Sequence, residues 1–444
     1  MHHRPAIRFF VAMFCWGMLC AAISPPALAS IEAKGEWVFP PYTKEGGLGS
    51  NYVYAIKINA AGEVWCCAGE GSDQEPLGGI SKYIGSPQRK PPEWAIYNKS
   101  NGLPDSRIYS FDFDAAGNIW LAMQKGVAKI DGSGAVLYAP KEFEGLPMRC
   151  IDVGPNGDVW AAKGSSSGNG PALYRFDGSG WHRYDANSVP YPNGPLDFEI
   201  NALAVDQRGN VWIGTVYGGA SKFDPSNSSW TNYGPSNSGL PHYKVNAIAF
   251  DGSGNVWFGT AMLANGTGGA AKLNPSNGSW TQQSVGHTDV MSIAVSAEHG
   301  IWFGTRTEGV YLFDVGRPPD KQWVHFNTTT TEHGLPNDDV RGVVYDNAGR
   351  VWFATLSGGV GCLLAKSIPQ LTAQGPEAAP SVAAAVAETQ SGTGEPGSQS
   401  ATESQAQANN DIKKLAMTGM ELLRYLCPGL FLILIGLGSG SRRR

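Results

Sequence analysis

Asp251-Gly252-Ser253-Gly254-Asn255-Val256-Trp257-Phe258-Gly259-Thr260 is one copy of a pattern that recurs down the chain. Related copies run from Asp114 to Trp120, Asp206 to Thr215 and Asp346 to Thr355. Their tryptophan returns as Trp65, Trp120, Trp160, Trp212, Trp257, Trp302 and Trp352, at spacings of 55, 40, 52, 45, 45 and 50 residues. A second series is interleaved at Trp37, Trp94, Trp181, Trp230, Trp280 and Trp323, with Leu137 at the missing place. Outward from Trp257 the unit reads as four short strands: Trp230 to Tyr233, Val245 to Phe250, Asn255 to Thr260 and Gly269 to Leu273. Apolar and polar residues alternate in these runs, and β-branched and aromatic types fill them. Gly and Asn at the joints supply positive φ without strain.

A period of 40 to 55 residues with four strands per unit is that of a β-propeller blade. One blade cannot bury both of its faces, so seven stacked around an axis are expected, an all-β ring over residues 30–366. The 58 glycines and the 16% share of charged residues suit many short strands and turns. The repeated tryptophans are read as packing between blades, because large aromatics dominate core burial. The last unit, ending at Gly359 to Leu364, lacks a Trp strand of its own, and the first has a spare at Glu36 to Phe39. The N-terminal strand is therefore expected to complete the last blade and bring Trp37 near Val360.

The repeats resemble the two-component regulator propeller family. Its Gly-Asn-Val-Trp-Phe-Gly-Thr core is similar to Gly209 to Thr215 here, followed by Gly218, Gly219, Phe223 and Asp224. A Gly-Leu-Pro loop stands at 102–104, 145–147, 239–241 and 334–336. The resemblance covers about residues 31–366 and implies the fold. In that family such propellers are sensor domains ahead of a membrane-linked kinase, and no kinase region occurs in this sequence. At fold level the ring is also similar to the propeller lyase that inactivates streptogramin antibiotics, whose histidine-and-metal motif does not align here.

The two ends carry addresses. Arg4 and Arg8, an apolar run from Phe9 to Ile23 and small residues at Ala27 and Ala29 make residues 1–29 a signal peptide cut after Ala29. Residues 367–414, rich in Ala, Gln, Ser, Thr and Glu, cannot bury a core and read as a disordered linker. Leu415 to Gly419 precede an apolar stretch, Leu422 to Gly438, and a basic end, Arg442 to Arg444. This resembles a sortase LAxTG sorting signal, which implies cleavage between Thr418 and Gly419 and joining of Thr418 to a cell wall polymer. The alternative is a plain C-terminal membrane anchor. Either reading leaves the folded part exported and held at the cell surface by its C-terminal end.

Formal charge is −5 and the folded region has no Lys/Arg cluster, which argues against a nucleic-acid surface. Apart from His2 and His3 the histidines are His182, His242, His287, His299, His325 and His333, none at metal-ligand spacing, so neither metal nor cofactor is expected. The Asp-x-x-Gly-Asn segments lack the alternating acids and closing Glu of calcium loops and read as hairpin turns. Cys66, Cys67, Cys150 and Cys362 read as buried free thiols, with a Cys66–Cys362 disulfide as the alternative once the ring closes.

Propellers present variable loops around a central funnel. Loops after Gly-Leu-Pro are expected to bring Arg107, Arg149, Glu199, His242, Lys244, Asp339 and Arg341 there. Those after the Gly-Thr strand bring Tyr217, Arg306 and Glu308. Mixed charge with an occasional aromatic suits a polar ligand such as a glycan or peptide, or a partner protein. Insertions at 69–79, 163–171 and 261–269 are where a specific partner would be read. A non-catalytic binding, sensing or interaction module is expected, with a lyase or hydrolase site at the funnel as the alternative. Convergence of His242 with Glu199 or Asp339 would favour the enzyme.

Overall fold

The computed structural model describes residues 31–364 apart from 33–35, 39, 70–77, 86–92, 135, 139–142, 144–145, 165–172, 185–194, 196, 198, 267, 297–299 and 315. The expected signal peptide, linker and sorting signal, Thr418 and Gly419 included, lie outside these residues. So do most of the insertions at 69–79 and 163–171.

Seven antiparallel sheets form, each a meander from an innermost to an outermost strand. The innermost strands are Val53–Ile58, Ile108–Phe113, Met148–Val153, Ile200–Val205, Val245–Phe250, Val290–Ser296 and Val340–Tyr345. Each touches the next, and Val340–Tyr345 touches Val53–Ile58, so they enclose a central tunnel. Closure follows the expected route. Glu36–Trp37 pairs antiparallel with Gly359–Leu364, Trp37 opposite Leu363, and Tyr42 bridges Val360. Tyr42 then packs on Trp352 and Trp94, stitching the last blade to the first. A further strand, Ile31–Glu32, adds parallel to Trp323–Phe326 and gives the sixth blade five strands, which the repeat pattern does not foretell.

The physical sense of the repeated motif is clearest around Asp251. Its carboxylate accepts the Ser253 and Asn255 backbone N–H groups, the Asn255 side-chain amide and, at 3.1 Å, the Trp257 indole N–H. Asp114 and Asp206 do the same for Trp120 and Trp212. Asp346 binds Trp352 and the Arg350 guanidinium. The turn glycine sits at φ near +80°, as Gly209 (82°) and Gly254 (77°), where an L side chain is disfavoured. These are hairpin clamps: the carboxylate is spent on donors of its own turn.

The rest of the motif faces the next blade. The first tryptophan series is at most 7% exposed throughout, so it packs blades together and offers no platform to a ligand. A Cβ on Gly214 or Gly259 would lie 2.6 or 2.7 Å from Cγ1 of Val245 or Val290, the first inner-strand residue of the following blade. Buried Thr215, Thr260, Thr305 and Thr355 donate their hydroxyls to the carbonyls of Gly219, Gly269, Gly309 and Gly359, closing the loop after the second strand. The Gly-Leu-Pro loop is equally determined. A Cβ on Gly239 would fall 2.2 Å from Trp280 Cβ and one on Gly334 2.3 Å from Trp37 Cγ, while Leu240 and Leu335 are buried. Cys66 and Cys362 do share one core cluster, yet among the described residues no disulfide joins them, and all four described cysteines are buried.

Candidate binding site at the mouth of the tunnel

Every inner strand slips register between its first and third residues, a β-bulge at one height in all seven blades. The bulged residue is left unpaired and its side chain re-aimed. In order these residues are Tyr54, Tyr109, Arg149, Asn201, Asn246, Met291 and Arg341, and several of them meet their neighbours at the tunnel entrance. Tyr54 meets Tyr109 edge-on with centroids 5.6 Å apart, and the Arg149 guanidinium lies 4.5 Å from the Tyr109 centroid. The Asn201 amide donates to Asn246 Oδ1 at 2.8 Å, and that of Asn246 to the Val290 carbonyl at 3.2 Å.

A second tier is set by backbone bonds that recur two residues before six of the seven bulges. The carbonyls of Tyr52, Arg107, Glu199, Lys244, Asp289 and Asp339 accept the N–H of Gly69, Gln124, Val216, Ala261, Arg306 and Leu356 in the loop after the second strand. Thus Arg107, Arg149, Glu199, Tyr217, His242, Lys244, Arg306, Asp339 and Arg341 all stand at the same end of the propeller. Among the described residues several of them are engaged with close neighbours. Arg107 pairs with Asp105 at 3.3 Å, and Arg341 donates to Asp339 at 2.8 Å. Asp289 stands between Lys244 and Arg306, 3.6 Å from each. Glu308 accepts the Tyr311 hydroxyl and faces His287.

His242 is not joined to Glu199 or Asp339 by any hydrogen bond among the described residues. Its Nδ1 accepts the Lys244 N–H at 2.9 Å. Asp105, Asp197, Asn337 and Ser50 use a side-chain oxygen on the residue two further along in the same way. His242 therefore holds the turn that starts an inner strand, an Asx-type role.

Lower in the tunnel lies a group that pattern reading missed. Lys57 Nζ reaches from the first blade to Asp112 at 3.0 Å and Asp152 at 3.2 Å on the second and third. Each carboxylate also accepts an inner-strand N–H of the following blade, Val153 or Val205, at 2.8 Å. The equivalent places in the other blades hold Ala204, Ala249, Ala294 and Val344. Burial opposes charge on all three, but the two acids hold the Lys57 ammonium charged well above its ordinary range. Asp112 is drawn down by Lys57 against its own desolvation. Burial, and the like charge of Asp112, push Asp152 up to about 7. Beside Lys57 a cavity of about 360 Å³ opens toward the far end, lined by Ala294, Ser296, Val344 and Tyr345 among others.

The fold is a seven-bladed β-propeller whose mouth is lined by the inner-strand bulges and the loops beside them. Three of its stretches, residues 195–217, 239–262 and 334–357, match the family described as two component regulator propeller. No curated protein sequence matches the chain. Among solved structures it is similar to the extracellular domain of a protein described as a hybrid two component system from B. thetaiotaomicron. That match has 17% identity and a TM-score of 0.54, and covers 70% of this chain but 38% of the other. It is also similar to virginiamycin B lyase from Staphylococcus aureus, at 16% identity and TM-score 0.52 over 71% of this chain and 95% of the lyase. A third is PorZ, a surface component of the type-IX secretion system of Porphyromonas gingivalis, at 16% identity and TM-score 0.54, covering 71% and 47%. At such identities the likeness is one of fold. Among the described residues no group of three His, Cys, Asp or Glu side chains is placed to hold a metal, and no helix is long and apolar enough to cross a membrane.

Proposed function

We propose that this chain is a non-catalytic binding module, working outside the cell as a sensing or interaction propeller, with the tunnel mouth as its recognition face. The observation that carries this reading is the distribution of exposed apolar side chains. Of the four large ones exposed among the described residues, three lie together at the mouth: Tyr217 (73%), Tyr243 and Met262. The Gly219 N–H donates to the Tyr243 carbonyl at 2.8 Å and that of Ala261 to the Lys244 carbonyl, which brings the three loops side by side. Scattered apolar residues need no explanation, but a cluster rimmed by Lys244, Asp289 and Arg306 is the composition of an interaction surface. Exterior placement is supported by the leader pattern of residues 1–29. Anchoring through Thr418 belongs to the same proposal and is checked by mass spectrometry of the mature C-terminus.

The test is binding of the full chain to arrays of glycans and peptides, repeated with Tyr217→Ala plus Met262→Ser and with Arg208→Ala, an exposed turn residue at the opposite end. Binding lost in the first variant and kept in the second supports the reading. Binders that respond only to Arg208 overturn it. A lyase or hydrolase remains the second reading because Asp152, pushed up to about 7 inside a tunnel, is the sort of group catalysis employs. Turnover of any bound compound, abolished by Asp152→Asn, would establish it instead.

A further inference from the structure

Most cations of the mouth already have a carboxylate partner: Arg107 has Asp105, Arg341 has Asp339, and Lys244 and Arg306 share Asp289. Arg149 is different. It is exposed, and no carboxylate among the described residues lies within ion-pair distance of it. It is nonetheless fixed in place. One face of its guanidinium lies against the Tyr109 ring at 4.5 Å. A Cβ on Gly164 would meet Arg149 Cγ at 2.1 Å, so glycine there leaves room for the arginine stem in its present place.

Its neighbours are held likewise by the residue that follows the second strand. Gly69 gives way to the Tyr54 ring, which a Cβ there would approach to 2.7 Å, and Gln124 accepts the Tyr109 hydroxyl. Blades one to three thus present a rigid arc of two tyrosines ending in a guanidinium with no carboxylate partner among the described residues. The next bulge residue, Asn201, has its amide nitrogen engaged by Asn246, which leaves its carbonyl oxygen facing the entrance as an acceptor.

We propose that Arg149 is the anion-binding point of the mouth and that it receives the carboxylate of a small molecule, with Asn201 taking a hydroxyl or N–H beside that group. The proposal rests on the reading of the mouth as the recognition face. A stacked guanidinium keeps its edge donors free, and their planar fork matches a carboxylate in two parallel hydrogen bonds. Stacking also removes the rotamer freedom that binding would otherwise have to freeze. A phosphate dianion would want a second free cation beside Arg149, and the other mouth cations named above each contact a carboxylate of their own surroundings.

The test is calorimetric titration of the full chain with D-galacturonate and N-acetyl-L-alanine, their uncharged counterparts galactose and N-acetyl-L-alaninamide, and inorganic phosphate, all at millimolar concentration. At least one carboxylate is expected to bind, with its neutral counterpart about tenfold weaker or more. Arg149→Met is expected to cost about tenfold or more. So is Gly164→Ala, which keeps every charge and only displaces the guanidinium. Unchanged unfolding midpoints confirm that both variants fold. Whichever probe binds distinguishes a sugar acid from an acylated amino acid. The inference is overturned if neither carboxylate binds, if phosphate binds more tightly, or if Gly164→Ala and Arg149→Met leave affinity intact. Those outcomes leave the mouth reading standing wherever the Tyr217 and Met262 variant still abolishes array binding.

Discussion

Replacing Lys57 by Met removes the cation that holds two carboxylates in the tunnel wall. Asp112 and Asp152 cannot turn away, because each also accepts a backbone N–H from the next blade at 2.8 Å. Deleting one partner of a buried ion pair costs about 3–5 kcal/mol. The three side chains keep 31, 18 and 19% of their surface open to the tunnel, so screening takes the expected loss to the low end. We therefore expect about 3 kcal/mol at pH 8, read by equilibrium urea unfolding of the full chain followed by tryptophan fluorescence. The sign with pH follows from the shifts. In the wild type Asp152 is raised, so its contribution to stability declines as pH climbs from the ordinary carboxylate value toward about 7. Asp112 is lowered, and its contribution is present above that value and lost on acidification. Without Lys57 both acids prefer the protonated form, so the variant falls further behind as pH rises and recovers part of the loss near pH 4.5, about the carboxylate range. The triple variant Lys57→Met, Asp112→Asn, Asp152→Asn should return to within about 1 kcal/mol of wild type, since no buried charge is left unpaired. A deficit equal at both pH values, or a triple variant no better than the single one, would refute the reasoning.

Three further outcomes are expected. Asp251→Ala strips the turn of its acceptor and strands the Trp257 indole N–H, costing about 2–3 kcal/mol in urea unfolding. Burial opposes ionisation of Asp251, but Asn255 and Trp257 hold it below the usual range, so the deficit should shrink as pH falls through that range. Gly334→Ala drives a Cβ into Trp37 and should cost about 1–3 kcal/mol, with faster hydrogen exchange across 36–42 and 359–364 than elsewhere in the ring. Finally, Cys66, Cys67, Cys150 and Cys362 should stay unreactive to a disulfide reagent at pH 8 until the chain is denatured. Burial pushes Cys67 and Cys150 up to about 12 and Cys66 well above its ordinary value. A Cys66–Cys362 crosslink found by mass spectrometry would contradict this.

What the sequence determined by itself is whatever the repeat repeats. Seven blades, turns clamped by Asp251 and its equivalents, tryptophans spent on packing and closure through Trp37 all follow from local chemistry that must be satisfied once per unit. The bulges left a signal that the alternating template did not register. Inner strands place apolar residues three apart, as Val53 and Ile56, Met148 and Ile151, or Val245 and Ile248, which a regular strand would not bury on one face. Only the tertiary structure decided which unlike residues meet. Lys57 and Asp152 are 95 residues apart and share a salt bridge because the ring sets equivalent strand positions side by side. His242, a natural candidate for chemistry in the sequence, has its Nδ1 engaged as the acceptor of a turn. Arg149 is held by Gly164 of its own blade and Tyr109 of the one before, with no carboxylate in ion-pair distance among the described residues. A one-dimensional pattern specifies what every blade needs in order to fold. Differences between blades acquire meaning only when closure brings them face to face across the tunnel, where charge and burial are set by neighbours that no local spacing records.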